Sequence, residues 1–204
     1  MSDKIYKLAN ALFHSGALKI GSFKLKSGIT SPYYLDLTWL LSSPRDLEYL
    51  VNVIAEEIRE ISSSTRIDRL ASIELKGALL LPGIISKVKI PGIVVRKEEK
   101  TYGLTGRIAG GEVKKGEHVL FFDDVVTDGR SKMEGIKPLE QMGAKVEVIL
   151  VVVDREQGGR EKLEKMGYQL KSITTISSLI KSLLDSEVIS REQAENILKY
   201  IDKT

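Results

Sequence analysis

The run from His118 to Ser131, HVLFFDDVVTDGRS, constrains the fold of this chain more than any other stretch. Residues 118–122 read as a buried apolar strand that stops at two adjacent carboxylates, Asp123 and Asp124. A short loop follows with Gly129 and the hydroxyls of Thr127 and Ser131, and the pattern predicts a helix over 131–142. This layout puts two acids at the carboxyl end of a strand and the loop amides at a helix N-terminus. In open α/β sheets ligands bind at that place, and anionic phosphate is favoured there. Carboxylates suit ribose hydroxyls or a hydrated divalent cation, and the amides and hydroxyls of Thr127 to Ser131 suit a phosphate monoester. An Asp-Asp pair alone also serves as a polar turn and helix cap; the whole string is more specific.

The rest of the chain alternates in the same way. Ile5, Leu8, Ala9, Leu12 and Phe13 form a helical stripe, and residues 27–32, SGITSP, make a turn before Tyr33 to Leu37, a predicted hairpin or small hood. Pro44 opens a helix to about Glu60, with Leu47, Leu50, Val51, Ile54 and Ile58 facing inward. Strands are expected at 67–73, 91–95, 146–153 and near 169–173, with helices at 77–87 and 158–166 and two more at the C-terminal end. Val146 to Val153 is apolar except for Glu147, as a central parallel strand should nearly be. The alternation predicts an α/β fold, a mostly parallel central sheet flanked by helices with right-handed crossovers. Thr101 to Gly111 holds four glycines and little to bury, so it reads as a loop of the kind that often forms a lid. One domain is expected: about 1–40 a helix and hood, about 41–175 the α/β core, about 176–204 C-terminal helices, the last with a packing role.

Bulk properties narrow the function. A net charge of +3 with dispersed basic residues gives no stripe suited to nucleic acid. No apolar run approaches membrane-spanning length and the first residues do not form a signal peptide, so no membrane partner and a cytoplasmic location are expected. Cysteine is absent, which removes disulfides, thiolate metal sites and cysteine nucleophiles. His14 and His118 lie far apart in sequence and are read as structural.

Four further segments surround the acidic strand end: 23–34 (FKLKSGITSPYY), 73–77 (IELKG), 94–103 (VVRKEEKTYG) and 153–159 (VDREQGG). With the Asp-Asp loop, they resemble the type I phosphoribosyltransferases, and in order and spacing the orotate phosphoribosyltransferase branch, over about residues 5–185. The resemblance implies the type I phosphoribosyltransferase fold and Mg²⁺-dependent transfer of phosphoribosyl from phosphoribosyl diphosphate (PRPP) to orotate, giving orotidine 5′-monophosphate and pyrophosphate. It implies a PRPP run of Asp123, Asp124, Val125, Val126, Thr127, Asp128, Gly129, Arg130 and Ser131, with the acids on the ribose and Thr127 to Ser131 on the 5′-phosphate. Lys76 and Gly77 match the pyrophosphate loop, and Arg96, Lys97, Lys100 and Tyr102 the cationic strand end and lid. Lys26, Tyr34, Leu35, Thr127 and Arg155 match orotate-facing positions, and Lys100, Lys26 and Asp124 carry the catalytic role. Mg²⁺ would be held mainly by PRPP and water with Asp123 and Asp124 nearby, and a homodimer with shared sites is implied.

Some positions depart from the family pattern. Asp128 stands where a small residue is usual, placing a carboxylate near the intended phosphate, and Arg130 could either pair with it or supply positive charge. Leu75 replaces an aromatic residue, Tyr102 a frequent histidine and Ala109 a frequent glutamate. Two rival readings stay open: a phosphoribosyltransferase for another base, and a non-catalytic PRPP-binding regulator.

Overall fold

The computed structural model describes residues 3–24, 28–100 and 106–203, the side chain of Lys100 apart. Helix α1 (Asp3–His14) leads into an antiparallel hairpin of β1 (Leu18–Lys24) and β2 (Thr30–Leu35). A 3-10 helix (Leu37–Ser42), capped by Asp36, whose side chain accepts the Thr38 N–H, joins the hairpin to α2 (Pro44–Ser64). Then follow β3 (Arg69–Ile73), α3 (Lys76–Val88), β4 (Gly92–Lys100), β5 (Gly106–Ala109), β6 (His118–Val126) and α4 (Arg130–Gln141). The chain continues through β7 (Lys145–Asp154), α5 (Gly159–Lys165), β8 (Gln169–Thr175), α6 (Ile176–Asp185) and α7 (Arg191–Ile201).

Six strands form one sheet in the order β5-β4-β3-β6-β7-β8, parallel except for β5. Alternation along the strands divides the core by face. On β6, Leu120 and Phe122 join the cluster built with α2, α3, α6 and the hairpin, while Val119 and Phe121 join the one beneath α4 and α5. Close packing fixes the second face: a Cβ on Gly135 of α4 would fall 2.5 Å from the Phe121 ring, so only glycine lets this helix sit so near the strand. From β3 the chain goes to β4 on one side, whereas β6 lies on the other. The crevice beyond the carboxyl ends of β3 and β6 is therefore the topological switch point, where ligands bind in such sheets.

The expected parallel α/β architecture is present, with differences of detail. β6 runs past the acid pair to Val126, because Asp123, Val125 and Val126 keep ladder partners Val151, Val153 and Asp154 on β7. The charged group after Val95 belongs to β4 rather than ending it, and part of the expected 101–111 loop is strand β5, which pairs Ile108 with Val95 and Ala109 with Val94. Ile108 packs against the core there, and one apolar residue among glycines is a weak strand signal. The 3-10 helix was not expected, and α2 extends to Ser64 rather than about Glu60. Glu147, the polar exception in the central strand, is the extra residue where the β6–β7 register shifts: Val119 faces Val146 and Leu120 faces Val148. Both histidines stand away from the crevice, His14 at the end of α1 and His118 at the start of β6.

Candidate functional site

The crevice is assembled from the acid pair of β6, the loop into α4, the turn from β3 into α3, the loop after β7 and the hairpin. Asp123 and Asp124 are both buried, at 5% and 4% exposure. They are not equivalent. Asp123 Oδ1 accepts the Asp124 N–H at 3.0 Å, and its Oδ2 meets Lys132 Nζ at 2.5 Å. Asp124 Oδ1 accepts the Val125 N–H at 2.8 Å, whereas its Oδ2 is buried with no partner. Burial, and then the neighbouring charge of Asp123, push the Asp124 carboxyl up to about 7.

The loop that follows caps α4 with its own side chain. Asp128 Oδ1 accepts the Arg130 N–H at 3.1 Å, and Oδ2 takes the Arg130 Nε–H. Of the two roles open to Arg130, pairing with Asp128 is the one seen. Burial opposes ionisation, but the bonds from Arg130 hold Asp128 below the usual carboxylate range. Asp128 thus occupies one of the helix N-terminal amides that an incoming phosphate could use. Gly129 takes a left-handed φ of 81°, and a Cβ there would lie 3.1 Å from Leu163 of α5.

Across the crevice, Gly77 opens α3 against the acid pair. A Cβ on it would fall 2.5 Å from Asp123 Oδ1 and 2.6 Å from Ser72 Oγ, so glycine is obligatory. The peptide between Glu74 and Leu75 is cis. Lys76 Nζ lies 3.2 Å from Asp36 Oδ1 at the foot of the hairpin. Although burial opposes it, bonds from Thr38 and Lys76 hold Asp36 below its ordinary range. On β4, Arg96 donates to the Gly106 carbonyl at 3.0 Å, and the Lys97 N–H donates to Glu74 Oε1 at 2.6 Å.

Arg155 is held from two directions. Its backbone N–H donates to the Val126 carbonyl at 3.0 Å, tying the loop after β7 to the end of β6. Its Nε donates to the Tyr33 hydroxyl at 3.1 Å. Asp154, 3% exposed, stiffens that loop by accepting the Glu156 N–H and Arg160 Nε–H, both at 2.9 Å. Tyr33 is fully buried and its ring meets Tyr200 of α7 edge-on at 6.1 Å. Strand alternation turns Tyr34 outward against Phe23, while Leu35 points into the core. The last helix, for which only packing was expected, therefore backs the hairpin.

The expected set Lys76, Gly77, Asp123, Asp124, Val125, Val126, Thr127, Asp128, Gly129, Arg130, Ser131 and Arg155 lies on segments that meet at this crevice. Arg96 and Lys97 stand further along β4. Lys26, Tyr102 and the Lys100 side chain lie outside the described residues. Lys132, Asp36, Ser72 and Tyr33 were missed as site-forming groups. For Lys132 a signal existed: it shares the inward stripe of α4 with Ile136 and Leu139, an odd place for a lysine. Among the described residues, no cluster of three acidic or histidine side chains could hold a metal unaided.

Comparison with known proteins gives the same picture. The phosphoribosyl transferase domain family matches residues 45–184. Orotate phosphoribosyltransferase of Pyrococcus abyssi is 35% identical over 182 residues, 89% of this chain and 97% of that protein. The crystal structure of orotate phosphoribosyltransferase from Aeropyrum pernix superposes with a TM-score of 0.75 at 29% identity, over 86% of this chain and 97% of the other. The UMP synthase structure of Leishmania donovani gives a TM-score of 0.85 at 30% identity, over all of this chain but 43% of that longer one.

Proposed function

The chain belongs to the orotate phosphoribosyltransferase family, and we propose that it transfers phosphoribosyl from PRPP to orotate, a step of pyrimidine synthesis. Orotate N1 forms the bond to C1′ as the C1′–O bond to pyrophosphate breaks. The electron pair leaves on pyrophosphate and the N1 proton is released. The observation that carries the reading is the unpartnered, buried Oδ2 of Asp124, beside a loop of amides and hydroxyls at the start of α4. An orphan carboxylate oxygen there is explained by a ligand that donates hydroxyls, and a ribose 5-phosphate presents hydroxyl and phosphate at the required neighbourhood. Thr127 to Ser131 take the 5′-phosphate. Lys76 and Gly77, with Arg96, Lys97 and Lys100, receive the departing pyrophosphate, whose growing charge they stabilise.

Orotate is assigned to the space between the hairpin and Arg155, near Lys26, Tyr34 and Thr127, while Leu35, whose side chain is packed in the core, can offer it only its backbone. A guanidinium fork suits its carboxylate and carbonyls, and the Tyr33 bond fixes the fork's direction. Mg²⁺ fits this donor set as an ion carried by PRPP and water with Asp123 and Asp124 nearby, since among the described residues the acid pair leaves one buried carboxylate oxygen unpartnered and no ligand cage is formed. Bound there, it would neutralise pyrophosphate charge.

The reading includes a homodimer in the cytoplasm, built from one phosphoribosyltransferase domain of hood, core and C-terminal helices. Trp39 and Leu41 of the 3-10 helix, with Leu75 and Leu79 at the start of α3, leave large apolar side chains exposed for a second copy to cover. No helix among the described residues is long and apolar enough to cross a membrane. Incubation with PRPP, Mg²⁺ and orotate, following the loss of orotate absorbance, tests the reaction, with adenine, hypoxanthine, xanthine and uracil in parallel. Turnover of orotate alone is expected. Turnover of another base, or PRPP binding without turnover, would replace this reading with one of its rivals. Mixed inactive Lys100→Ala and Asp124→Ala subunits should regain activity if sites are shared, and no recovery in confirmed heterodimers would exclude sharing.

A further inference from the structure

We propose that Lys132 is a positioning residue that divides the acid pair, holding Asp123 inward as its counter-ion so that ribose recognition falls to Asp124. The proposal rests on the PRPP reading above and adds to it a residue that the motif does not include. Three observations carry it.

The first is the engagement of Asp123. One of its oxygens is taken by the Asp124 N–H and the other by Lys132 Nζ at 2.5 Å. The carboxylate is wedged under the start of α3, where even a methyl group on Gly77 would strike it. Such a group faces the protein, not the crevice. The second observation is the contrast with Asp124, whose Oδ2 is equally buried and has no partner. Two neighbouring carboxylates with the same burial have been given different tasks.

The third is the lysine itself. Its side chain is 3% exposed and sits on the inward stripe of α4 with Ile136 and Leu139. An apolar residue would fill that stripe without the desolvation that a buried ammonium incurs, so packing does not account for it. Charge does: without Lys132, two adjacent buried acids would face an anionic ligand with no cation between them. Among the described residues Lys76 also acts on Asp124, and it is tied to Asp36 as well. Lys132 Nζ further reaches Ser131 Oγ at 3.1 Å. By donating to that oxygen it leaves the Ser131 hydrogen free to donate to a phosphate. One ammonium thus braces both the ribose acids and the last hydroxyl of the phosphate loop.

The test is a double-mutant cycle read as PRPP affinity by calorimetry, with melting temperatures recorded alongside. Lys132→Met is expected to weaken PRPP binding about tenfold, because it releases Asp123 and leaves two unopposed acids. Adding Asp123→Asn to it should recover most of that loss, whereas Asp124→Asn should lose binding by itself. A folded Lys132→Met protein with unchanged PRPP affinity would overturn the proposal and leave Lys132 a purely structural residue. So would a double variant that binds as poorly as Asp124→Asn, since Asp123 would then be a ribose ligand in its own right. If Lys132→Met does not fold, Asp123→Asn alone decides. It should bind PRPP at least as tightly as the wild type, because Asp123 is no ligand and the freed ammonium favours an anion; a loss as large as that of Asp124→Asn refutes the idea. A wild-type protein that binds no PRPP would overturn the underlying reading as well, an outcome distinct from failure of the cycle alone.

Discussion

At the amino ends of β3 and β6, Arg69 and Glu117 meet in a two-pronged pair at 2.8 and 3.1 Å, and the Lys114 N–H completes the carboxylate at 3.0 Å. Beside them Asp68 accepts the His118 N–H and the Arg66 guanidinium, both at 2.9 Å. At the carboxyl ends of the same two strands, Asp123, Asp124, Ser72 and Lys132 are more deeply buried, yet Asp124 Oδ2 and Ser72 Oγ find no partner. The same strands thus carry charge at both ends. At one, both carboxylates are fully hydrogen-bonded, with the buried His118 Nδ1 meeting only Glu147 at 3.4 Å, and at the other a carboxylate oxygen is left open. Paired carboxylates hold a fold together, whereas a buried carboxylate oxygen without a donor, beside a loop of amides, is costly unless a ligand supplies one.

Asp124→Asn should break the comparison most sharply. Its kcat/KM for PRPP is expected to fall at least 100-fold, about 3 kcal/mol of transition-state stabilisation. The same change should make the protein more stable at pH 8, by about 3 °C in Tm for ~1 kcal/mol in a chain of this size. The sign follows from the carboxyl's rise from 3.8 to about 7 on burial. Its contribution to stability is fully present below about pH 4 and is lost as pH rises through about 7. Glu117 runs the other way: the Arg69 bond lowers its pKa, so its contribution is present above the ordinary carboxylate range and is lost in acid. Thermal melts of both proteins from pH 4 to 8 check this. An Asp124→Asn melt that keeps the wild-type slope would mean that this carboxyl is not the one titrating.

Arg69→Leu sharpens the other half of the comparison. Breaking the half-buried pair should cost about 2 kcal/mol, or roughly 6 °C in Tm, because Glu117 is left without its partner. Turnover per folded molecule should stay unchanged, and a parallel loss of kcat would show that the two ends are coupled. The smallest effect is expected from Asp128→Gly. Freeing the Arg130 amide should tighten PRPP about threefold if the carboxylate competes with phosphate, an energy below that of an ordinary hydrogen bond. Weaker binding instead would make Asp128 a necessary part of the loop.

Much of the open end could be read from the chain and little of the closed one. An apolar run that stops at two acids, followed by a glycine loop, announces a strand end and a helix N-terminus in consecutive residues, so local pattern suffices. Arg69 and Glu117 are 48 residues apart, and nothing in either neighbourhood signals the other. The same limit hid the Asp36–Lys76 and Tyr33–Arg155 contacts, which depend on where the hairpin docks. β5 escaped notice because a four-residue edge strand has too little periodicity to stand out from a glycine-rich loop. Lys132 was the exception: the inward stripe of α4 was legible, but its partner became apparent only once that helix lay over β6.

The edge-on contact of Tyr33 with Tyr200 also sets an order of events. The tyrosine that aims Arg155 lies in the second strand of the chain, and the ring that backs it lies in the last helix. A nascent chain can complete the loop after β6 once β7 and α5 have emerged to hold it, but this brace has to wait for residue 200. Closing so long a loop is among the slowest contacts a chain makes. On the proposed assignment, the phosphate half of the crevice can close during synthesis before the Arg155 half is braced, so the contact that aims the arginine is among the last this fold can make.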